Sequence, residues 1–69
     1  MTKTEFQRKA ERAFLNANPT AIVVGWIEAR QVTFPTGVRE FVGKFYAVAP
    51  GHRRRVMIAS GARDYVMVR

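Results

Sequence analysis

The sequence of 69 residues lacks cysteine and has a single histidine, His52. Without cysteine there is no disulfide framework, no thiolate nucleophile and no cysteine-ligated zinc site. One histidine provides no histidine pair for a metal ion. We therefore expect no metal and no other cofactor, and the absence of disulfides favours the reducing cytoplasm as the location.

Long apolar runs are also absent. The longest is Ala21 to Ile27, far below the roughly 20 residues that cross a bilayer. The first residues, Met1 to Lys9, are positively charged but lead into no apolar segment, so we expect no secretory signal. A membrane-spanning protein is not expected.

Acidic residues are few, with 5 Asp and Glu against 12 Lys and Arg, which leaves a net charge of +7. No carboxylate pair lies at a spacing that forces a shared site, and glycine-rich phosphate-binding motifs are missing. The sequence therefore predicts a protein that is not an enzyme. The catalytic alternative is a metal-free ribonuclease that uses His52, Glu28 or Glu40.

One amphipathic helix is predicted over about residues 3–17. Thr2 followed by Glu5 fits a capping box, and Pro19 ends the helix. Leu15 is expected to be an exposed leucine on the far side of the helix. The apolar stripe has helical spacing and consists of Phe6, Ala10, Ala13, Phe14 and Ala17.

Four strands are predicted after the helix, because runs rich in β-branched residues alternate with Pro and Gly turns. Their ranges are about 20–32, 38–49, 54–60 and 63–68. The expected fold is α+β, a single domain over residues 1–69 with the N-terminal amphipathic helix packed on a four-stranded antiparallel meander sheet.

The register of the first hairpin decides which side chains share a face. A loop from Thr33 to Gly37 opposes Val32 to Val38 and pairs Trp26 with Lys44 and Arg30 with Glu40. The predicted inner face, covered by the helix, then holds Val23, Gly25, Ile27, Ala29, Phe41, Gly43, Phe45 and Ala47. The predicted outer face holds Val24, Trp26, Glu28, Arg30, Glu40, Val42, Lys44 and Tyr46. A four-residue loop would instead place Trp26 beside Phe45 in the core.

The second turn extends the same prediction to the third strand. Opposing Val48 to Arg53 places Val56 and Ile58 inside. It places Arg53, Arg55 and Met57 on the outer face. For the last strand the turn allows two registers, one with Tyr65 and Met67 on the outer face and the other with Val66 and Val68 there. The first is preferred because it places the β-branched valines inside.

The strongest local signal is the run His52 to Arg55, because adjacent guanidinium groups repel unless a polyanion neutralises them. Arginine also outnumbers lysine, which favours nucleic acid, although a GC-rich genome gives the same bias. We therefore predict a small basic protein that binds DNA or RNA. Its predicted binding residues are Arg53, Arg54, Arg55, Arg30, Lys44, Trp26 and Tyr46.

Two other interpretations fit the same residues. The outer face can pair with a second copy of the chain, which would bury Trp26 and Tyr46 in a homo-oligomer. Alternatively, the protein is an interaction module or inhibitor of phage or mobile-element type, with a basic surface that docks on an acidic protein partner.

Overall fold

The computed structural model describes residues 2–61 and the backbone of residues 65–68. Helix α1 spans Lys3–Ala17, as predicted. The backbone N–H of Glu5 donates to Oγ1 of Thr2 at 3.1 Å, so Thr2 caps the first turn. Within the described residues, no helix has the length and apolar character needed to cross a membrane.

The C-terminal end of α1 is closed by Asn18. Its backbone N–H and its Nδ2 both donate to the carbonyl oxygen of Phe14, at 2.9 Å and 3.1 Å. Pro19 follows and disfavours another helical turn. The expectation for Leu15 was wrong: this side chain is half-buried and packs against the core.

The helix packs on an antiparallel sheet in the order β1-β2-β3-β4, which confirms the predicted α+β class. The strands are β1, Ile22–Thr33; β2, Arg39–Val48; β3, Arg55–Ser60; and β4, Tyr65–Val68. Side chains are described for the first three strands. For β4 only the backbone is described, and it pairs antiparallel with β3. The predicted start of the last strand at residue 63 and the facing of Tyr65 and Met67 lie outside the described part of the chain.

The core lies between α1 and the inner face of the sheet. Phe6 and Phe45 are the largest fully buried side chains. Trp26 joins them, with its ring centroid 5.8 Å from that of Phe6 and 4.7 Å from that of Phe45. The remaining buried core residues are Ala10, Phe14, Ala21, Ala47, Met57 and Ala59.

The predicted position of Trp26 on the outer face was therefore wrong, and two β-bulges in β1 explain the error. Val24 and Ile27 are extra residues in the β1–β2 ladder, so Trp26 opposes Phe45 rather than Lys44. Each bulge reverses the alternation of side chains between the two faces. Trp26 consequently points into the core, and Ile27, predicted inside, is 47% exposed.

The hairpin loop has the predicted length but is shifted by one residue. Thr33 opposes Arg39, and the backbone N–H of Phe34 donates to the carbonyl of Val38 at 2.8 Å. The predicted pair of Arg30 and Glu40 was wrong, because Arg30 opposes Val42.

The predicted facing of β3 was also wrong. The N–H of His52 donates to the carbonyl of Ala49 at 3.0 Å, and Gly51 between them has φ of +78°. Pro-Gly at these positions is typical of a type II turn, whose twist does not match that of the flanking strands. Pairing resumes only at Arg55, which opposes Ala47.

This later start shifts every residue of β3 by one position. Met57 and Ala59 are buried in the core, whereas Val56 opposes Tyr46 and Ile58 opposes Lys44 on the outer face. Arg55 and Met57 therefore lie on the helix side of the sheet, not on the outer face.

Candidate nucleic-acid interface

The outer face is the side of the sheet opposite α1, and it combines apolar and cationic side chains. Lys44 and Tyr46 are exposed because their neighbours Phe45 and Ala47 take the buried positions of β2. Arg30 opposes Val42 on the same face. The described residues of this face are Ile22, Val24, Gly25, Ile27, Glu28, Arg30, Val32, Glu40, Val42, Lys44, Tyr46, Val48, Val56, Ile58 and Ser60.

Tyr46 and Arg54 form the most specific contact on the outer face. The guanidinium carbon of Arg54 lies 5.3 Å from the centroid of the Tyr46 ring. Such a cation–π contact contributes about 0.5–1 kcal/mol at an exposed site. Tyr46 remains 36% exposed, so the pair presents part of an aromatic side chain together with a charge to solvent.

A shallow groove of about 480 Å³ runs beside this pair, lined by Ile27, Lys44, Arg54, Arg55 and Val56. Ile27 and Val56 form the apolar part of its lining, and Lys44, Arg54 and Arg55 form the cationic part. Arg30 extends the positive charge along the sheet, since its partner Val42 is four residues from Tyr46, about 14 Å along a strand.

Acidic residues are also present on this face. Glu28 directly opposes Lys44, and Glu40 opposes Val32 nearer the hairpin loop. Glu28 lowers the positive potential beside Lys44, so the cationic character of the outer face depends mainly on Arg30 and the turn that carries Arg54.

The arginine run of the β2–β3 turn divides between the two sides of the sheet. Arg54 lies over Tyr46 on the outer face. Arg53 and His52 instead line a half-open pocket of about 170 Å³ at the C-terminal end of α1. Arg55 borders both the groove and the pocket.

The structure places four of the predicted binding residues on the outer face: Lys44, Tyr46 and Arg54 lie close together, and Arg30 lies about 14 Å along the sheet. Arg55 borders the groove from the helix side of the sheet. The structure removes Trp26 from the face and moves Arg53 to the pocket. Sequence reasoning missed Ile27, Val56 and Ile58 on the outer face. It also missed Asn18, which lines the pocket with Arg53.

The described residues contain no group of three or more His, Cys, Asp or Glu side chains that could hold a metal ion. His52 lies in a pocket whose lining includes Asn18, Arg53 and Arg55 but neither Glu28 nor Glu40.

Comparison with known proteins gives no further assignment. No protein-family model matches the chain, and no curated protein or solved structure matches it.

Proposed function

We propose that this protein is a small nucleic-acid-binding module and that the outer face of its sheet is the binding surface. The observation that carries the proposal is the contact of Arg54 with the partly exposed Tyr46 on the sheet face opposite α1. Base stacking on an aromatic ring and phosphate contacts to nearby cations are the two interactions that single-strand binders combine.

The distribution of charge on the protein favours a polyanion as the ligand. The chain carries a net charge of +7, and Arg30, Lys44 and Arg54 are all exposed on or beside the outer face. Each cation that contacts a phosphate releases condensed counterions, so affinity falls steeply as salt concentration rises. Arginine additionally stacks on bases and binds phosphate through two parallel hydrogen bonds.

Fluorescence anisotropy with a labelled single-stranded oligonucleotide, repeated over a range of salt concentrations, tests the proposal. Arg54→Ala should flatten the slope of log K against log salt by about 0.7. Arg12→Ala is the matched control, since it removes the same charge from the exposed surface of α1. Equal slopes for the two variants would contradict the assigned surface.

Tyr46 provides a second, charge-neutral test. Tyr46→Ala should weaken binding by about 1–3 kcal/mol, the contribution of one stacked base, whereas Tyr46→Phe keeps the ring and should bind like the parent protein. Retained affinity in Tyr46→Ala, with folding verified by circular dichroism, would remove the stacking role.

A protein partner is the second candidate, favoured by the apolar residues exposed on the same side. Val24 is 50% exposed and Ile27 is 47% exposed, which suits an apolar contact within a basic rim. An acidic protein or a second copy of the chain would cover them. Purification from nuclease-treated lysate separates the candidates, because a stoichiometric protein partner survives nuclease and a nucleic-acid bridge does not.

A further inference from the structure

The pocket at the C-terminal end of α1 has the composition of a ligand site that is separate from the outer face. Its floor is formed by buried Phe14, Ala47 and Met57. Its rim is formed by the exposed side chains of His52, Arg53 and Arg55. An apolar floor beneath a cationic rim suits a ligand that has an apolar body and an anionic group.

The pocket is small and half-open, with a volume of about 170 Å³. Drug-sized ligands occupy pockets of about 300–1,000 Å³, so a larger molecule would extend into solvent. Phe14 is 7% exposed and Met57 is 3% exposed, so a planar base would touch this floor over a small area, and the rim arginines would contribute most of the affinity.

The rim supplies the partners for a phosphate. Arginine guanidinium groups bind phosphate oxygens in pairs, and Arg53 and Arg55 border the same opening. Asn18 also lines the pocket; its Nδ2 is used by the carbonyl of Phe14, which leaves its Oδ1 as an acceptor for a base amino group.

The negative C-terminal end of α1 is an alternative explanation for the presence of Arg53 and Arg55 beside the pocket. The C-terminus of a helix carries about half a negative charge, and the last turn of α1 contains no basic residue of its own. Arg53 and Arg55 together exceed that partial charge, and the Phe14 carbonyl already accepts two hydrogen bonds. The rim therefore retains positive charge for an external anion.

We infer that this pocket binds a nucleoside monophosphate group, with the base on the Phe14 and Met57 floor and the phosphate between Arg53 and Arg55. The group has two sources: a free nucleotide, or the phosphorylated end of a nucleic-acid strand. The inference goes beyond the proposed function, because none of these four residues is needed for stacking on Tyr46.

Calorimetric titration of the full chain with AMP tests the inference, with adenosine and inorganic phosphate as the partial ligands. AMP should bind at least tenfold more tightly than either partial ligand. Arg53→Ala should weaken AMP binding about tenfold or more, the effect of losing one charge-assisted hydrogen bond. Ala49→Leu, which fills the pocket without changing charge, should weaken it similarly.

Arg54→Ala is the matched control, since it removes the same charge one residue away while its guanidinium lies over Tyr46. This variant should weaken strand binding yet leave AMP affinity within twofold. No AMP binding at millimolar concentration, or equal losses in Arg53→Ala and Arg54→Ala, would overturn the inference. If Arg53 and Arg55 serve only to neutralise the negative end of the helix, replacing them would lower the melting temperature. The parent protein would then show no saturable AMP binding.

The source of the nucleotide is decided by a second titration with oligonucleotides that differ only in a 5′-phosphate. Tighter binding of the phosphorylated strand, lost in Arg53→Ala, identifies the strand end as the ligand. Equal binding of the two strands, together with saturable AMP binding, identifies a free nucleotide. Tyr46→Ala should weaken both strands and leave AMP unaffected, so failure of the outer-face proposal is distinguishable from failure of this one.

Discussion

Replacing Gly43 with alanine should destabilise the protein because Gly43 lies directly beneath Trp26. A Cβ at this position would lie 2.7 Å from the carbonyl oxygen of Glu28 and 2.8 Å from Cζ3 of the Trp26 ring. Ordinary carbon contacts are about 3.5–4.0 Å, so these atoms must move by about 0.7 Å or more. One is backbone, and the other belongs to a ring held between Phe6 and Phe45.

The magnitude follows from two opposing terms. Overpacking of a well-packed core costs about 1–3 kcal/mol, and the restrained neighbours place Gly43→Ala in the upper part of that range. Reduced entropy of the unfolded chain offsets about 0.4–1 kcal/mol. The net loss of about 1–2 kcal/mol corresponds to a melting temperature lower by about 4–16 °C for a domain of this size.

Urea and thermal unfolding, followed by the fluorescence of Trp26 and by circular dichroism, measure this loss. Gly25→Ala is the control, because a Cβ there meets no atom within 4 Å. It should leave the free energy of unfolding unchanged or raise it slightly. An unchanged melting temperature for Gly43→Ala, or an equal loss in both variants, would refute the packing of Trp26 over Gly43.

Three further substitutions test other parts of the fold and the outer face. Thr2→Ala removes the acceptor of the Glu5 N–H and should cost about 0.5–2 kcal/mol of stability, measured by urea unfolding; a loss below 0.3 kcal/mol would argue against the cap. Trp26→Phe removes an indole N–H that is buried with no hydrogen-bond partner among the described residues, so this substitution should cost less than the about 3–5 kcal/mol expected for Trp26→Ala. Similar losses in both would contradict this account. Glu28→Gln removes a negative charge opposite Lys44 and should tighten oligonucleotide binding at low salt, whereas weaker binding would place the ligand elsewhere.

The helix was predictable because its signals are local. Thr2, Glu5 and Pro19 mark its ends through side-chain capping and a backbone restriction, and both effects act within a few residues. The buried positions Phe6 and Phe14 follow from helical spacing. The exposed position expected for Leu15 was wrong, since the covered side of the helix is rotated toward Gln7, Glu11 and Leu15, which are half-buried. Ala17, expected in the apolar stripe, is exposed.

The faces of the sheet were less predictable because β1 is apolar on both sides. Val23, Val24, Trp26 and Ile27 can exchange places without exposing a charge in the core, so the alternation of polar and apolar residues gives no warning of a bulge. Near the hairpin, the charge of Arg30 indicates the solvent-facing side of the sheet. Its predicted position on the outer face was confirmed. The candidate site was therefore predictable at Arg30, Lys44 and Tyr46 and not at Trp26.

The two bulges of β1 affect how the edge of the sheet can pair with strands of other chains. β1 is twelve residues long and lies at the edge of the sheet, paired with β2 on one side only. A long apolar edge strand is a template for edge-to-edge addition of a strand from another chain, and so for fibril growth. The extra residues Val24 and Ile27 interrupt the even spacing of its free N–H and C=O groups, so a regular incoming strand finds no continuous set of partners. The irregularity that moves Trp26 into the core therefore also protects the edge against aggregation.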